Sequence, residues 1–252
     1  MACFDYENHR IYYECHGAGE PLILLHGNTA SGRMFDPLIP ILSAGRLVVT
    51  MDFLGCGRSD HLSCWPCDLW AEWSKQVYAL CRHNGFARVS IAGASGGALA
   101  AINAAMAYPQ LVHAVIADSF AGIEADPQIT AGIRAGRAAA KRLDGFCAYQ
   151  QSVHGDDWEA VLDADTDAVL RHAESIGAYF QRPLSSLKVR LLLTGSDEDE
   201  MLPAGHCRRL FGEIARQTPL AQAHVFAHGG HPAMLSNMQA FAALLDRFLD
   251  PD

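Results

Sequence analysis

The sequence predicts an α/β fold: a mostly parallel, twisted sheet with helices on both faces, interrupted by a helical insertion. Three observations predict it. Short runs rich in branched apolar residues alternate with helix-forming stretches along the chain. One such run, 88–92, opens almost directly into Gly93-Ala94-Ser95-Gly96-Gly97 and then into an alanine-rich helical segment. Residues 120–186 carry helical composition and no convincing strand, between two runs that read as sheet strands.

Strands are expected at 10–16 and 22–25, as an antiparallel first pair, and then at 47–51, 88–92, 112–117, 189–194 and 223–227. The later runs have the near-continuous apolar character of strands buried on both faces of a parallel sheet. Helices at 34–42, 69–83, 96–107, 204–216 and 233–249 fall between or after them, the alternation that places helices on both sheet faces. The insertion is expected to hold helices at 131–143 and 158–180. The chain thus divides into a core, 1–119 and 187–252, and a helical cap, 120–186. Segments leaving the carboxyl ends of parallel strands face the ligand crevice. Trp158, Phe146, Tyr149, Tyr179 and Phe180 are the aromatic side chains available to line that crevice.

Composition narrows the class. The 252 residues are 50% hydrophobic, enough to bury a substantial core. A net charge of −9, without a lysine- or arginine-rich run, argues against nucleic acid and anionic membrane surfaces as partners. The first ten residues lack a basic segment leading into an apolar one, so no signal peptide is expected. No stretch approaches the roughly 20 apolar residues of a membrane span. A cytoplasmic protein is the expectation. Eight cysteines are then expected to be reduced and to act as small apolar residues. Cys64-Trp65-Pro66-Cys67 has redox or half-zinc-site spacing. It follows no thioredoxin-like strand and has no second cysteine pair, so an ordinary loop is expected.

The chemistry centres on Ser95. A strand, a tight Gly-x-Ser-x-Gly turn and a helix form the context in which a serine hydroxyl is raised at the carboxyl edge of a sheet. A hydroxyl is a weak nucleophile until a base, itself oriented by a third group, accepts its proton. Of twelve histidines, His231 in Gly229-Gly230-His231-Pro232 lies after the last strand and before the final helix, where a loop can hold an imidazole over the strand ends. His228 is its rival and reads as a strand-end residue. The orienting acid should follow strand 189–194, where Asp197-Glu198-Asp199-Glu200 offers four carboxylates, most of them a solvated acidic loop. The chain order serine, acid, histidine fits this architecture.

Two further turns accompany these. His26-Gly27-Asn28-Thr29 follows strand 22–25, and the backbone N–H groups of Asn28 and Gly96 are the candidate oxyanion donors, with Thr29 the alternative to Asn28. His26 reads as a buried brace for that loop. Asp52-Phe53-Leu54-Gly55-Cys56-Gly57-Arg58-Ser59-Asp60 reads as a tight structural turn at the crevice edge.

With these residues in view, the chain resembles the α/β-hydrolase superfamily from end to end. The His-Gly loop at 26–27, the Asp-x-x-Gly-x-Gly-x-Ser turn at 52–59, the elbow at 93–97 and Gly230-His231 occur in that superfamily's order and spacing. The resemblance implies the α/β-hydrolase fold with 120–186 as its cap domain. It places the acid four residues before a proline, here Pro203, which selects Asp199. The loop from Gly195 is one residue longer than the common form, which keeps Asp197 in contention. Ser95 stands where dehalogenases and epoxide hydrolases of this superfamily carry aspartate and dienelactone hydrolases carry cysteine. The implied activity is therefore acyl transfer to water by Ser95, Asp199 and His231, with no metal or organic cofactor. A small, largely apolar ester, thioester or lactone is the expected substrate. A short-peptide aminopeptidase or a carbon–carbon bond hydrolase would use the same triad, and a small-molecule receptor with vestigial turnover is the reading from another class.

Overall fold

The computed structural model describes residues 2–250. Eight strands form one sheet: β1 (Ala2–Tyr6), β2 (His9–His16), β3 (Pro21–Leu25), β4 (Leu47–Met51), β5 (Val89–Ala94), β6 (Val112–Asp118), β7 (Arg190–Ser196) and β8 (Ala221–Phe226). Their order is β1-β2-β4-β3-β5-β6-β7-β8, antiparallel at β1 and β2 and parallel from β4 onward. The helices are α1 (Ile39–Leu42), α2 (Leu69–His83), α3 (Gly96–Ala107), α4 (Pro127–Ala140), α5 (Asp144–His154), α6 (Trp158–Ser175), α7 (His206–Gln217), α8 (Ala233–Ser236) and α9 (Met238–Leu249).

The period-two alternation of strand side chains builds two cores. Ile23, Leu25, Ile91, Val115, Leu191 and Leu193 face one side, against Trp73 of α2, Ala101 of α3 and Phe211 of α7. Leu22, Leu24, Ala92, Ile116 and Leu192 face the other, against Leu42 of α1 and Phe241 and Leu245 of α9. β5 is buried along its whole length, and Ser95, which follows its last residue, stands at the sheet's carboxyl edge where the chain turns into α3.

The sheet departs from expectation at its start. β2 does not neighbour β3; it pairs with β4, in register Tyr13↔Met51, and with β1. The crossover through α1 carries the chain past β3, so β4 occupies the position next to it, and β2 adds outside. β1 was not expected. Glu7 and Asn8, at φ 49° and 67°, make the two-residue turn between β1 and β2. A pair of positive φ values is the signature of a tight hairpin.

Helical boundaries differ for local reasons. The segment expected as one helix at 34–42 is a 3₁₀ turn at Gly32–Phe35 and the short α1, because Pro37 and Pro40 lack the N–H groups a continuous helix needs. The stretch at 233–249 divides into α8 and α9 at Asn237, whose φ of −127° leaves the helical range. Between β6 and β7 lie three helices rather than two: α4 replaces 131–143, α5 was unanticipated, and α6 stops at Ser175 instead of 180. Gly177, at φ 76°, turns the chain there, and Ala178 bridges Glu124. Asp126 caps α4 by accepting the Gln128 N–H at 2.7 Å, and Pro127 occupies the helix's first turn. Among the described residues no helix is long and apolar enough to cross a membrane.

Candidate active site

Ser95 occupies the turn between β5 and α3 at φ 55°, ψ −119°, a left-handed conformation that is strained for any residue with a side chain. Glycines make the turn possible. A Cβ at Gly93 would collide with the Gly97 carbonyl, and one at Gly97 with the Leu25 carbonyl of β3. The Ser95 N–H donates to Asp118 O at 2.7 Å, fixing the turn to the end of β6, while the Ser95 carbonyl accepts the Ala98 N–H at 2.9 Å. Ser95 is half-buried. Among the described residues its Oγ forms no hydrogen bond. Gly96 begins α3, where helix geometry leaves N–H groups unspent.

The loop after β8 carries His231, whose Nδ1 lies 2.9 Å from Asp199 Oδ2. The Asp199 side chain is 1% exposed, and its Oδ1 accepts the Met201 N–H at 2.9 Å. The other three carboxylates of this loop are engaged elsewhere. Asp197 accepts from Nε and Nη2 of Arg208, one to each carboxylate oxygen. Glu198 pairs with His228 at 2.9 Å on an exposed surface. Glu200 Oε2 accepts the His231 backbone N–H at 3.0 Å. Burial works against a charged His231 ring, but the hydrogen bond and charge of Asp199, with Asp118 and Glu200 beyond it, prevail and raise its pKa above the usual 6.5.

Asp118, absent from the sequence-derived site, is fully buried at the end of β6. Its carboxylate accepts from Thr194 Oγ1 at 2.6 Å and from the Met234 N–H at 3.0 Å, and Ser119 Oγ accepts the Ala233 N–H at 2.9 Å. Two consecutive residues thereby join the Ser95 turn, the strand leading to Asp199 and the segment leaving His231. Burial raises the Asp118 pKa from 3.8 to about 6 against those hydrogen bonds and the His231 charge.

The loop after β3 approaches from the opposite side. A Cβ at Gly27 would lie 3.1 Å from Ser95 Cβ. His26 is fully buried: its Nε2 accepts the Phe53 N–H at 3.0 Å, so Nδ1 carries the proton donated to Gly27 O at 2.8 Å. Burial lowers its pKa, leaving a neutral brace. Asp52 holds the neighbouring turn by accepting the Gly32 and Arg58 N–H groups at 2.7 and 2.8 Å. Gly57, at φ 58°, packs where a Cβ would strike that carboxylate.

Asn28 uses its side chain across the molecule. Nδ2 donates to Asp165 Oδ2 of α6 at 2.7 Å, and Oδ1 accepts from Trp70 Nε1 at 3.3 Å. A Cβ on Gly96 would collide with Asn28 Oδ1, so the two candidate oxyanion residues touch. Thr29, at φ 58°, presents its carbonyl to Gln150 Nε2 and His154 Nε2 of α5 at 3.2 and 3.3 Å. His154 Nδ1 accepts the Gly57 N–H at 2.9 Å, and burial lowers its pKa to about 4.

Of the aromatic residues offered by 120–186, Trp158, Tyr179 and Phe180 are buried, Phe146 is half-buried, and Tyr149 is 44% exposed. Tyr179 stacks edge-on with Trp70, ring centres 4.9 Å apart. All eight cysteines are free thiols, with Cys64 and Cys67 exposed on a loop tied to α6 through Arg171 and His172. Among the described residues no group of three or more His, Cys, Asp or Glu side chains is arranged to hold a metal ion.

The sequence pattern of the alpha/beta hydrolase family matches residues 22–244. A 124-residue stretch is 35% identical to a proline iminopeptidase of Clostridium botulinum, covering 47% of this chain but only 42% of that protein's length. Over 96% of its length the chain is 26% identical to a 2-hydroxy-6-oxo-6-phenylhexa-2,4-dienoate hydrolase of Burkholderia cepacia, covering 92% of that enzyme. The fold also superposes on a serine hydrolase involved in carbazole degradation, with a TM-score of 0.78 and 20% identity over 98% of this chain and 97% of the other.

Proposed function

Because the chain belongs to the alpha/beta hydrolase family, we propose that it is a serine hydrolase that cleaves a small, largely apolar carboxylic ester, thioester or lactone through an acyl-enzyme. The observation that carries this reading is the pair of buried Asp199 and half-buried His231, 2.9 Å apart, following β7 and β8 at the sheet edge where Ser95 follows β5. A histidine with its Nδ1 proton held by a carboxylate presents Nε2 as a base, the arrangement that activates a serine.

In the proposed cycle His231 Nε2 takes the Ser95 proton as Oγ attacks the substrate carbonyl. The backbone N–H groups of Asn28 and Gly96 receive the oxyanion; Asn28 is preferred to Thr29 because it directly follows Gly27, which abuts Ser95. Protonated His231 then gives its proton to the departing alcohol or thiol, and the acyl-enzyme forms. Water attacks that acyl group, His231 accepts the water's proton, and Ser95 leaves with it. Asp199 keeps the ring in one tautomer and stabilises the imidazolium, as a buried carboxylate at Nδ1 does in such triads. Residues 120–186 act as a cap over Ser95. The free thiols fit a reducing, cytoplasmic compartment.

A second reading is carbon–carbon bond hydrolysis by the same residues, favoured by the near full-length similarity to the dienoate hydrolase. Turnover of p-nitrophenyl acetate, a thioester and a vinylogous 1,5-diketone, with Ser95→Ala as the blank, tests both. Ser95-dependent turnover of the first two supports the acyl-transfer reading, and preference for the diketone supports the second. A single turnover with a ligand-induced melting shift would move the protein to the receptor class.

A further inference from the structure

The loop that carries Asn28 is gripped by residues more than a hundred positions away in the chain. Asp165 of α6 is 0% exposed, a position where a carboxylate is costly unless it is paired and hydrogen-bonded. It is ion-paired with Arg137 of α4, whose Nη1 lies 2.6 Å from Oδ1 but donates its hydrogen bond to Thr166 Oγ1 at 2.8 Å, which leaves Oδ1 held by charge alone. Its other oxygen takes the Asn28 Nδ2 at 2.7 Å, a charge-assisted bond. The opposite end of the same amide accepts the Trp70 indole N–H. Rotating the amide by half a turn would set oxygen against carboxylate and NH₂ against N–H, so the two partners fix one orientation. The indole packs edge-on against His172 of α6 and Tyr179, at ring-centre distances of 4.7 and 4.9 Å, and those two rings stack on each other. Beside Asn28, the Thr29 carbonyl is held by Gln150 and His154. Side chain and main chain of the loop are thus both tied to the insertion.

We propose that Asp165 is a positioning residue: through the Asn28 side chain it sets the Asn28 backbone N–H beside that of Gly96, so that the oxyanion site is complete only while α6 is seated on the core. This rests on the serine-hydrolase reading above. Asp165 touches no reacting atom. It acts on kcat because an oxyanion donor contributes in the transition state, and a donor misplaced by an ångström loses much of that contribution. A salt bridge that only stabilised the insertion would change melting temperature and leave kcat alone.

A charge-swap series on the full chain tests the coupling, with p-nitrophenyl acetate as substrate. Asn28→Asp sets two carboxylates against each other and should lower kcat about tenfold or more, with KM within threefold of wild type. Adding Asp165→Asn to it restores a donor–acceptor pair and should bring kcat back to within about threefold. Should Asn28→Asp fail to fold, Asn28→Ala and Asp165→Ala provide the same reading: each lowers kcat, and the double variant is no slower than the slower single. A swap variant that stays as slow as Asn28→Asp, or alanine losses that multiply, would overturn the proposal. Fluorophosphonate labelling of wild-type Ser95 separates the two levels. If Ser95 labels and the swap fails, the positioning role alone falls; if wild type neither labels nor turns over, the serine-hydrolase reading falls and this role with it.

Discussion

His231 Nδ1 meets Asp199 Oδ2 at 2.9 Å, while Asp197, two residues earlier, turns outward to Arg208. One loop therefore divides its aspartates between a half-buried imidazole and an exposed guanidinium. Asp199→Ala should lower kcat on the order of 10⁴-fold, the scale for removing the orienting acid of such a triad. Asp197→Ala breaks an exposed pair, 29% and 63% accessible, and should leave kcat within about threefold. Steady-state kinetics of the two variants decide between them; equal or reversed losses contradict the assignment.

The pH profile follows from the same ring. Asp199, Asp118 and Glu200 together outweigh burial and raise the His231 pKa. A general base must be neutral, so kcat/KM should rise with pH through a midpoint above 6.5 in the free enzyme. Asp118→Asn removes one of the three charges and should move that midpoint downward. A midpoint at or below 6.5 in the wild type contradicts the electrostatic reading.

Asp118 also leaves a mark on stability. Its pKa rises from 3.8 to about 6 on folding, so it binds its proton more tightly in the folded state. Its contribution is complete below about pH 4 and is lost as pH rises through about 6, by on the order of 3 kcal/mol. Relative to Asp118→Asn, the wild type should lose that much between pH 4 and pH 8. Denaturant unfolding of both proteins across this range checks it, and a difference that stays flat or grows with pH counts against it.

His154 carries the opposite sign. Its pKa falls from 6.5 to about 4, because the folded protein buries the neutral ring between Gly57 and Thr29. Its contribution is complete above about pH 6.5 and is lost as pH falls toward 4, by on the order of 3 kcal/mol. Against His154→Gln, wild-type unfolding free energy should therefore drop in that window, and a constant difference would exclude the effect.

How much of this was readable in the chain depended on how local each determinant is. Ser95 and its glycines are a strand–turn–helix signal contained in five residues, and α2 and α3 begin and end where composition predicts. His231 follows from its glycines and its place after the last strand. The choice between Asp199 and Asp197 rested on one proline in the sequence, whereas in the fold Arg208, in the first turn of α7, claims Asp197. Asp118 ends an apolar run and has no sequence feature that marks it as a buried charge acting on His231. Asp165 is one of three alternating aspartates at 163, 165 and 167, of which 163 and 167 pair with Lys141 and Arg134 at the surface. Only the packing of α6 on the core shows which of the three turns inward. The hairpin at Glu7–Asn8 was legible in principle, since Asn tolerates left-handed backbone, but Glu7 masks the pattern.

The central claim is that Ser95 is a nucleophile activated by His231. Intact-mass labelling with a small fluorophosphonate, followed by peptide mapping, tests it most directly. One adduct per chain, on Ser95, and none in His231→Ala is the predicted result. A folded wild-type protein that takes no adduct, or one whose Ser95 labels equally in His231→Ala, would contradict it.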